Sequence, residues 1–221
     1  MVDIFDEVTE DLRTERAILL ARRYGGLLIA AFILVLLGVA GQQGYVWYQS
    51  KQNDKAATAF IAITGPIDEA GSNLTDDQRQ KDAAALTNFA ATAPSGYRTL
   101  ANLRAAALYA DAGQGAQAQG LWNNVADDTS ADPLLRDLAN LLWAQHALGN
   151  APDADVLARL KPLLDQANPY HGLAQETQAL LYLHEGKTDL AKALFSQIAS
   201  DPTAPDGVRN RADGLLAKLN G

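Results

Sequence analysis

The pattern of apolar and polar residues divides the chain into a mixed N-terminal segment, one long apolar run and a stretch of short amphipathic segments. The apolar run, Gly25 to Gly41, has 17 residues without a charge, and uncharged residues continue to Tyr48. At 1.5 Å per residue, a helix over 25–48 would extend roughly 36 Å, more than the roughly 30 Å hydrocarbon core of a bilayer. The pattern therefore predicts one transmembrane helix over 25–48.

The residues at the two ends of this run indicate its orientation. Arg22 and Arg23 directly precede it, while Tyr45, Trp47 and Tyr48 form an aromatic cluster at its far end, as interface anchors do. The first 24 residues contain four arginines, and only two lysines follow closely on the other side. Segments rich in Lys and Arg beside a membrane helix tend to stay on the cytoplasmic side. We therefore expect a cytoplasmic segment 1–24 and an extracytoplasmic domain 49–221.

A cleaved signal peptide is the alternative interpretation of the apolar run. Gly38, Val39 and Ala40 provide the small residues that a signal peptidase requires. The preceding segment, however, has 24 residues and six acidic side chains, unlike the short basic segment that opens a signal peptide. The sequence therefore favours an uncleaved anchor.

The segment before the anchor predicts an amphipathic helix over 3–24, because its apolar residues recur at intervals of three to four. It is either a solvated extension of the membrane helix or a docking element. Its acidic balance disfavours anionic lipid, so a docking role points to a protein partner. The candidate contacts are Phe5, Val8 and Leu12.

From residue 54 onward, Ala- and Leu-rich segments are separated by Gly, Pro, Asp or Asn, and no strand pattern competes with them. This alternation of helix-forming segments with helix-breaking residues predicts an all-α domain. The expected helices are 54–70, 76–93, 97–112, 115–128, 133–148, 153–167, 170–185, 188–200 and 205–219.

An internal repeat relates these helices. LYADAG, ending at Gly113, aligns with LYLHEG, ending at Gly186, and a middle copy ends at Gly149, so the glycines are 36 and 37 residues apart. This period is typical of helix–turn–helix solenoids, in which each pair of helices stacks on its neighbours. The aromatic residues at inward repeat positions are expected in the core: Tyr109, Trp122, Trp143, Tyr182 and Phe195.

These repeats resemble tetratricopeptide repeats of loose consensus, with small residues before the turn, then Ala, then Leu or an aromatic residue, and a closing Asp-Pro. The N-terminal motif FDEVTEDLR, the single span and the repeat domain together resemble the bacterial YfgM-like family, the ancillary subunits of the SecYEG translocon. The resemblance covers essentially the whole chain. It implies an all-α fold of one transmembrane helix followed by a solenoid of helix–turn–helix pairs.

The same resemblance implies a function and partners. It places the protein in the bacterial inner membrane with a periplasmic repeat domain that associates with the Sec translocon and with periplasmic chaperones or export clients. Related repeat domains occur in a periplasmic coordinator of cell division, so an envelope or division scaffold is the alternative.

The first helix of each pair in such an array lines a concave surface suited to extended segments or partner helices. We expect partner-binding residues on these helices. The principal candidates are Tyr97, Arg104, Asn140 and Gln175, and further candidates are Arg98, Arg136, His171 and Gln178.

Charge and motifs argue against several classes of function. The net charge is −8, from 18 basic and 26 acidic side chains, which repels nucleic acid. The chain has no cysteine, no phosphate-binding glycine motif, no serine-hydrolase motif and no paired histidine motif. We therefore expect no cofactor, metal, small-molecule substrate or enzymatic activity. The alternative is a glycan-cleaving enzyme with Glu176 as its general acid.

Overall fold

The computed structural model describes the backbone of residues 4–221 and the side chains of residues 22–24, 26–27 and 29–221. Helices and turns make up all of the secondary structure in this part of the chain, which confirms the all-α prediction. The chain forms two compact units, Met1–Asp54 and Lys55–Gly221.

The helices follow the predicted order. Seven of the predicted helices agree with the structure to within three residues at each end. The α-helices are α1 (Ile4–Ala70), α2 (Asp76–Ala90), α3 (Ser95–Asp111), α4 (Gly115–Asp127), α5 (Pro133–Ala147), α6 (Asp153–Leu160), α7 (His171–His184), α8 (Thr188–Ser200) and α9 (Asp206–Asn220), with short 3₁₀ helices at Gly71–Asn73 and Lys161–Leu164.

Two predicted helix ends are wrong. The expected helix start at residue 54 does not occur, because the preceding residues 49–53 contain no Gly or Pro and continue α1. The expected helix 153–167 ends at Leu160 and continues as a short 3₁₀ turn. Pro162 accounts for this stop, since its nitrogen has no hydrogen to donate and its ring clashes with the carbonyl four residues earlier.

The N-terminal helix contains the predicted membrane segment. In the described residues, one stretch, Ile29–Asn73, is long and apolar enough to span a membrane, and its most apolar window has a mean hydropathy of 1.8. None of that window is buried within the protein. Residues 4–24 are helical in backbone, whereas the side chains of Phe5, Val8 and Leu12 lie outside the described residues.

Within residues 55–221 the helices form hairpins, each with a glycine of positive φ at its turn. Gly71, Gly113, Gly149 and Gly186 each end the first helix of a hairpin with a positive φ of 52°, 73°, 74° and 75°. After Gly113, the N–H of residue 114 donates to the carbonyl five residues earlier at 2.7 Å, and the equivalent bond after Gly186 is 2.8 Å long. The turns at Gly113 and Gly186 therefore share one geometry, whereas before Gly149 the backbone of Leu148 is extended and the N–H of Asn150 donates to Ala147.

A second recurring turn ends the second, third and fourth hairpins. Asp128, Asp165 and Asp201, spaced 37 and 36 residues apart, each accept a hydrogen bond from the backbone N–H two residues later, at 2.8 to 2.9 Å. Ser130 and Thr203 also donate their hydroxyl groups, at 2.6 and 2.7 Å. These side-chain hydrogen bonds are the main cause of the lowered pKa of Asp128 and Asp201.

The apolar residues form two core clusters. The larger one extends from Ile67 through α2 to α7, and the smaller one joins α7, α8 and α9 around Phe195 and Ile198. Leu173 on α7 packs against both clusters. The core prediction is confirmed for the buried side chains Trp122, Trp143 and Phe195, while the rings of Tyr109 and Tyr182 are half-buried against the clusters.

Two glycine substitutions should have opposite effects on stability, because one glycine is in a turn and the other is in a helix. Gly113→Ala should destabilise the repeat unit by about 1–2 kcal/mol, because an L-residue disfavours the left-handed conformation although a Cβ meets no atom within 4 Å. Gly120→Ala, in the exposed interior of α4, should stabilise it by up to about 1 kcal/mol. Urea denaturation followed by circular dichroism measures both changes. A stabilising Gly113→Ala would contradict the assignment of the turn.

The aspartate turns predict acid sensitivity. Because folding lowers the pKa of Asp128 and Asp201 below the 3.8 of a free aspartate, both turns stabilise the fold above about pH 4 and lose this contribution as pH falls. The double variant Asp128→Ala/Asp201→Ala should therefore show a shallower loss of stability on acidification. Urea midpoints measured between about pH 6 and pH 3 test this. Equal slopes for the variant and the unchanged protein would disprove it.

Candidate functional site

A groove runs across the first helices of the first three hairpins. It has a volume of about 440 Å³ and is lined from the C-terminal part of α1, from α3 and from α5. Its lining residues are Phe60, Thr64, Asp68, Leu100, Leu103, Arg104, Ala107, Leu138 and Leu142.

The groove is predominantly apolar because of the spacing of leucines on two helices. Leu100 and Leu103 are three residues apart on α3, and Leu138 and Leu142 are four apart on α5, so each pair shares one face of its helix. Helices α3 and α5 contact each other directly, which brings the two faces together. Leu100 remains 41% exposed. An open apolar surface of this kind suits the apolar side of a protein segment.

One ion pair adds a polar feature to the groove. The guanidinium of Arg104 on α3 donates to the carboxylate of Asp68 on α1. Their side chains are 41% and 64% exposed, so the pair contributes at most about 1 kcal/mol to stability. The structure therefore places Arg104, one of the predicted contacts, in the groove with its charge accessible to solvent.

Tyr97 does not line the groove but packs against Phe60, which does. Its ring is half-buried, with its centroid 5.9 Å from that of Phe60. Phe60 also packs against Phe89 of α2, at 6.1 Å. The predicted contact Tyr97 is thus placed where it supports Phe60.

Asn140 lies on a different side of α5. At 100° per residue, it is roughly 180° around the helix from Leu138 and Leu142. Its side-chain oxygen accepts a hydrogen bond of 2.8 Å from Arg159 of α6. The structure therefore separates Asn140 from the groove.

Gln175 is 7% exposed, so the expectation that its side chain lies on an accessible surface is wrong. Helix α7 is packed between α5 and α9, and this buries several polar residues on it. Glu176 and Thr177 are buried beside Gln175. The sequence alone did not reveal this packing because all three residues are polar.

Glu176 forms a two-pronged ion pair with Arg211 of α9. The Nε and Nη2 atoms of Arg211 donate to the two carboxylate oxygens at 2.7 and 2.6 Å. Hydrogen bonding to Glu176 is the main cause of the raised pKa of Arg211. Both carboxylate oxygens of Glu176 therefore accept hydrogen bonds that link α7 to α9.

The remaining predicted residues do not converge on the groove. Arg98 is exposed and donates to the carbonyl of Ala93 at 3.3 Å, and Gln178 is half-buried. His171 lines a separate cavity of about 480 Å³, formed by polar residues beside the turn at Asp201. In the part of the chain that the structure describes, no group of three or more metal-ligating side chains is close enough to hold an ion.

Sequence reasoning missed the four groove leucines. The sequence feature that could have identified them is their spacing of three or four residues on α3 and α5, the first helices of two successive hairpins. Amphipathic spacing alone also describes core residues, and the exposure of Leu100 became evident only when α1, α3 and α5 were placed side by side.

Comparison with known proteins gives a match to one family. No curated protein and no solved structure matches the chain. The family model described as tetratricopeptide repeat-like domain matches residues 21–217, most of the chain and nearly all of its helical repeats. The chain therefore belongs to the tetratricopeptide repeat-like domain family.

Proposed function

We propose that this protein is a membrane-anchored scaffold for protein–protein interaction that binds a partner segment in the groove of α1, α3 and α5. The observation that carries the proposal is the groove itself, in which Leu100, Leu103, Leu138 and Leu142 form an open apolar surface beside the Arg104–Asp68 ion pair. A partner segment would bury these leucines and meet the ion pair with its polar groups.

The finer proposal is an accessory role in protein export. In it, the protein is a YfgM-like subunit that links the Sec translocon to periplasmic chaperones or export clients. The motif FDEVTEDLR, the single apolar helix and the repeat domain support this by resemblance. The four arginines before the apolar helix support an inner-membrane topology with a cytoplasmic N-terminus and a periplasmic repeat domain. Phe5, Val8 and Leu12 are then proposed contacts on the cytoplasmic side.

We also propose that the protein acts by binding and not by catalysis, without a cofactor or small-molecule substrate. The ion pair between Glu176 and Arg211 supports this. A general acid must carry a proton on a carboxyl oxygen that can reach the leaving group, whereas both oxygens of Glu176 accept hydrogen bonds from Arg211.

Affinity purification in mild detergent tests the export role. Recovery of translocon subunits and periplasmic chaperones with the full chain would support it. Recovery of only division or cell-wall proteins would refute it in favour of an envelope scaffold. Site-specific crosslinking from Phe5 identifies a cytoplasmic partner in the same cells.

Two matched substitutions test whether the groove binds the partner. Leu100→Asp should reduce the recovered partner at least tenfold, because a carboxylate in an apolar contact costs more than about 1.4 kcal/mol. Leu190→Asp on α8 is the control, since Leu190 is 53% exposed and lies outside the groove. Both variants should fold normally, as circular dichroism will show. Equal recovery with the two variants would exclude the groove as the binding surface.

A reporter fused after Gly221 tests the topology. Alkaline phosphatase at this position should be active, because it folds only where disulfides form, whereas a fluorescent protein that requires the cytosol should remain dark. N-terminal sequencing of the mature protein provides the control against cleavage. A mature chain that begins near Gly41 would show that the apolar run is a signal peptide.

A further inference from the structure

A cavity of about 480 Å³ in the fourth hairpin is separate from the groove. It is lined from the loop before α7, from the start of α7, from the end of α8 and from the turn that follows α8. Its lining residues all have polar side chains: Gln166, His171, Gln197, Ser200, Asp201 and Thr203. The groove is lined by different residues, so the two features are independent.

The two hydroxyl groups in this cavity have already used their protons. The oxygen of Ser200 lies 3.0 Å from the backbone carbonyls of Ser196 and Gln197, which can only accept, so its proton is directed to them. The hydroxyl of Thr203 donates to the carboxylate of Asp201 at 2.7 Å. Because a hydroxyl has a single proton, both oxygens can only accept a hydrogen bond from a ligand.

Asp201 contributes a charged acceptor. One of its carboxylate oxygens accepts from the hydroxyl and the backbone N–H of Thr203, and these bonds lower the pKa of Asp201, so that it carries its charge at neutral pH. The other oxygen has no hydrogen-bond partner among the described residues. The guanidinium of Arg209 pairs with Asp206 and donates to the backbone carbonyl of Asp201, at 3.4 Å, instead of to this oxygen.

His171 adds a ring nitrogen without a partner. Its Nδ1 is buried and has no hydrogen-bond partner in the described part of the chain. In the tautomer that carries the proton on Nε2, this nitrogen is an acceptor. A buried acceptor without a donor costs free energy, which a ligand with an N–H group would recover.

These groups match a cation that donates several hydrogen bonds. Two hydroxyl oxygens, one carboxylate oxygen and one ring nitrogen accept, and the amides of Gln166 and Gln197 can present their oxygens as well. A primary ammonium group has three N–H donors, no acceptor and one positive charge. Ca²⁺ takes about six to eight oxygen ligands and several carboxylates, whereas this cavity has one carboxylate.

The corresponding cavity of the second hairpin contains a fixed cation instead. It has a volume of about 510 Å³, and its lining includes Arg98 and Asn124. Arg98 is 73 residues before His171, and Asn124 is 73 residues before Gln197, the same distance that separates the glycine turns of the two hairpins. Because the charge of Arg98 repels another cation, the repeat provides an acceptor site for a cation in the fourth hairpin and not in the second.

We propose that the cavity around His171 and Asp201 binds a primary ammonium group of a partner protein. The source of this group is either a lysine side chain or the N-terminus of a chain. Residues 55–221 carry 19 acidic and 13 basic side chains, so the domain attracts a cationic partner. The site rests on the proposed scaffold function only in that the ammonium group belongs to a protein.

Nuclear magnetic resonance of the full chain in micelles of a neutral detergent tests the site directly. The probes are acetyl-Ala-Lys-Leu-amide, the same peptide with its lysine side chain acetylated, and Ala-Leu-Leu-amide with a free N-terminus. The side-chain NH₂ signals of Gln166 and Gln197 and the ring signals of His171 should shift saturably with a peptide that carries an ammonium group. The acetyl-lysine peptide should leave them unchanged. The ammonium peptide that binds more tightly identifies the source.

One pair of matched substitutions separates binding from the structural role of the turn. Asp201→Asn retains an oxygen for the turn at Thr203 but replaces the free, charged oxygen by an NH₂ donor, so it should weaken binding about tenfold or more. Asp128→Asn makes the same change in the equivalent turn of the second hairpin, outside the cavity, and should leave binding unchanged.

A third substitution uses the repeat itself. His171→Arg introduces the residue that the second hairpin has at this position, so the helix should tolerate it and the melting temperature should change little. The added charge should abolish binding of both ammonium peptides.

Four results would overturn the proposal: no saturable shift with either ammonium peptide, equal shifts with the acetyl-lysine peptide, undiminished binding by Asp201→Asn, or an equal loss of binding in Asp128→Asn. A response to Ca²⁺ alone, without one to the peptides, would also overturn it. Because the titration uses purified protein and peptides, its failure is separate from a failure to recover translocon subunits.

Discussion

The fold of residues 55–221 depends on the burial of apolar faces that a single pair of helices cannot bury alone. Trp122 on α4 and Leu141 on α5 are almost fully buried in one cluster that extends across successive hairpins. Alanines at the helix contacts, such as Ala105 and Ala144, are also fully buried and allow the helices to approach closely. Each hairpin is therefore stabilised mainly by its neighbours, as expected of a repeat array.

Two kinds of turn keep the stacking in register. Glycines with positive φ reverse the chain within a hairpin, and the aspartate turns reverse it between hairpins. From Gly113 onward both recur at 36 or 37 residues, so the second, third and fourth hairpins enter the stack at regular intervals along the chain. The groove exists because the first helices α3 and α5 contact each other and the C-terminal part of α1 packs against α3.

Polar groups make specific links between helices that the apolar clusters do not provide. Thr177 on α7 donates to the carbonyl of Leu173 at 2.8 Å and accepts a bond of 3.4 Å from Gln145 on α5. Glu176 joins α7 to α9 through Arg211, close to the boundary between the two core clusters. Arg159 similarly connects α4, α5 and α6, but without a carboxylate. Pairing of charge thus differs between the middle of the array and its C-terminal helices.

The sequence by itself determined the helices, their order, the repeat and the apolar segment, because these follow from local properties. Gly113 and Gly186 stop helices through their own backbone freedom, and the length of the apolar run is a property of contiguous residues. Only the tertiary structure decided that Gln175 is buried, that Leu100 is exposed in a groove and that Asn140 faces Arg159. Those features arise from contacts between helices separated by tens of residues, where the position of each neighbour determines which side of a helix reaches solvent.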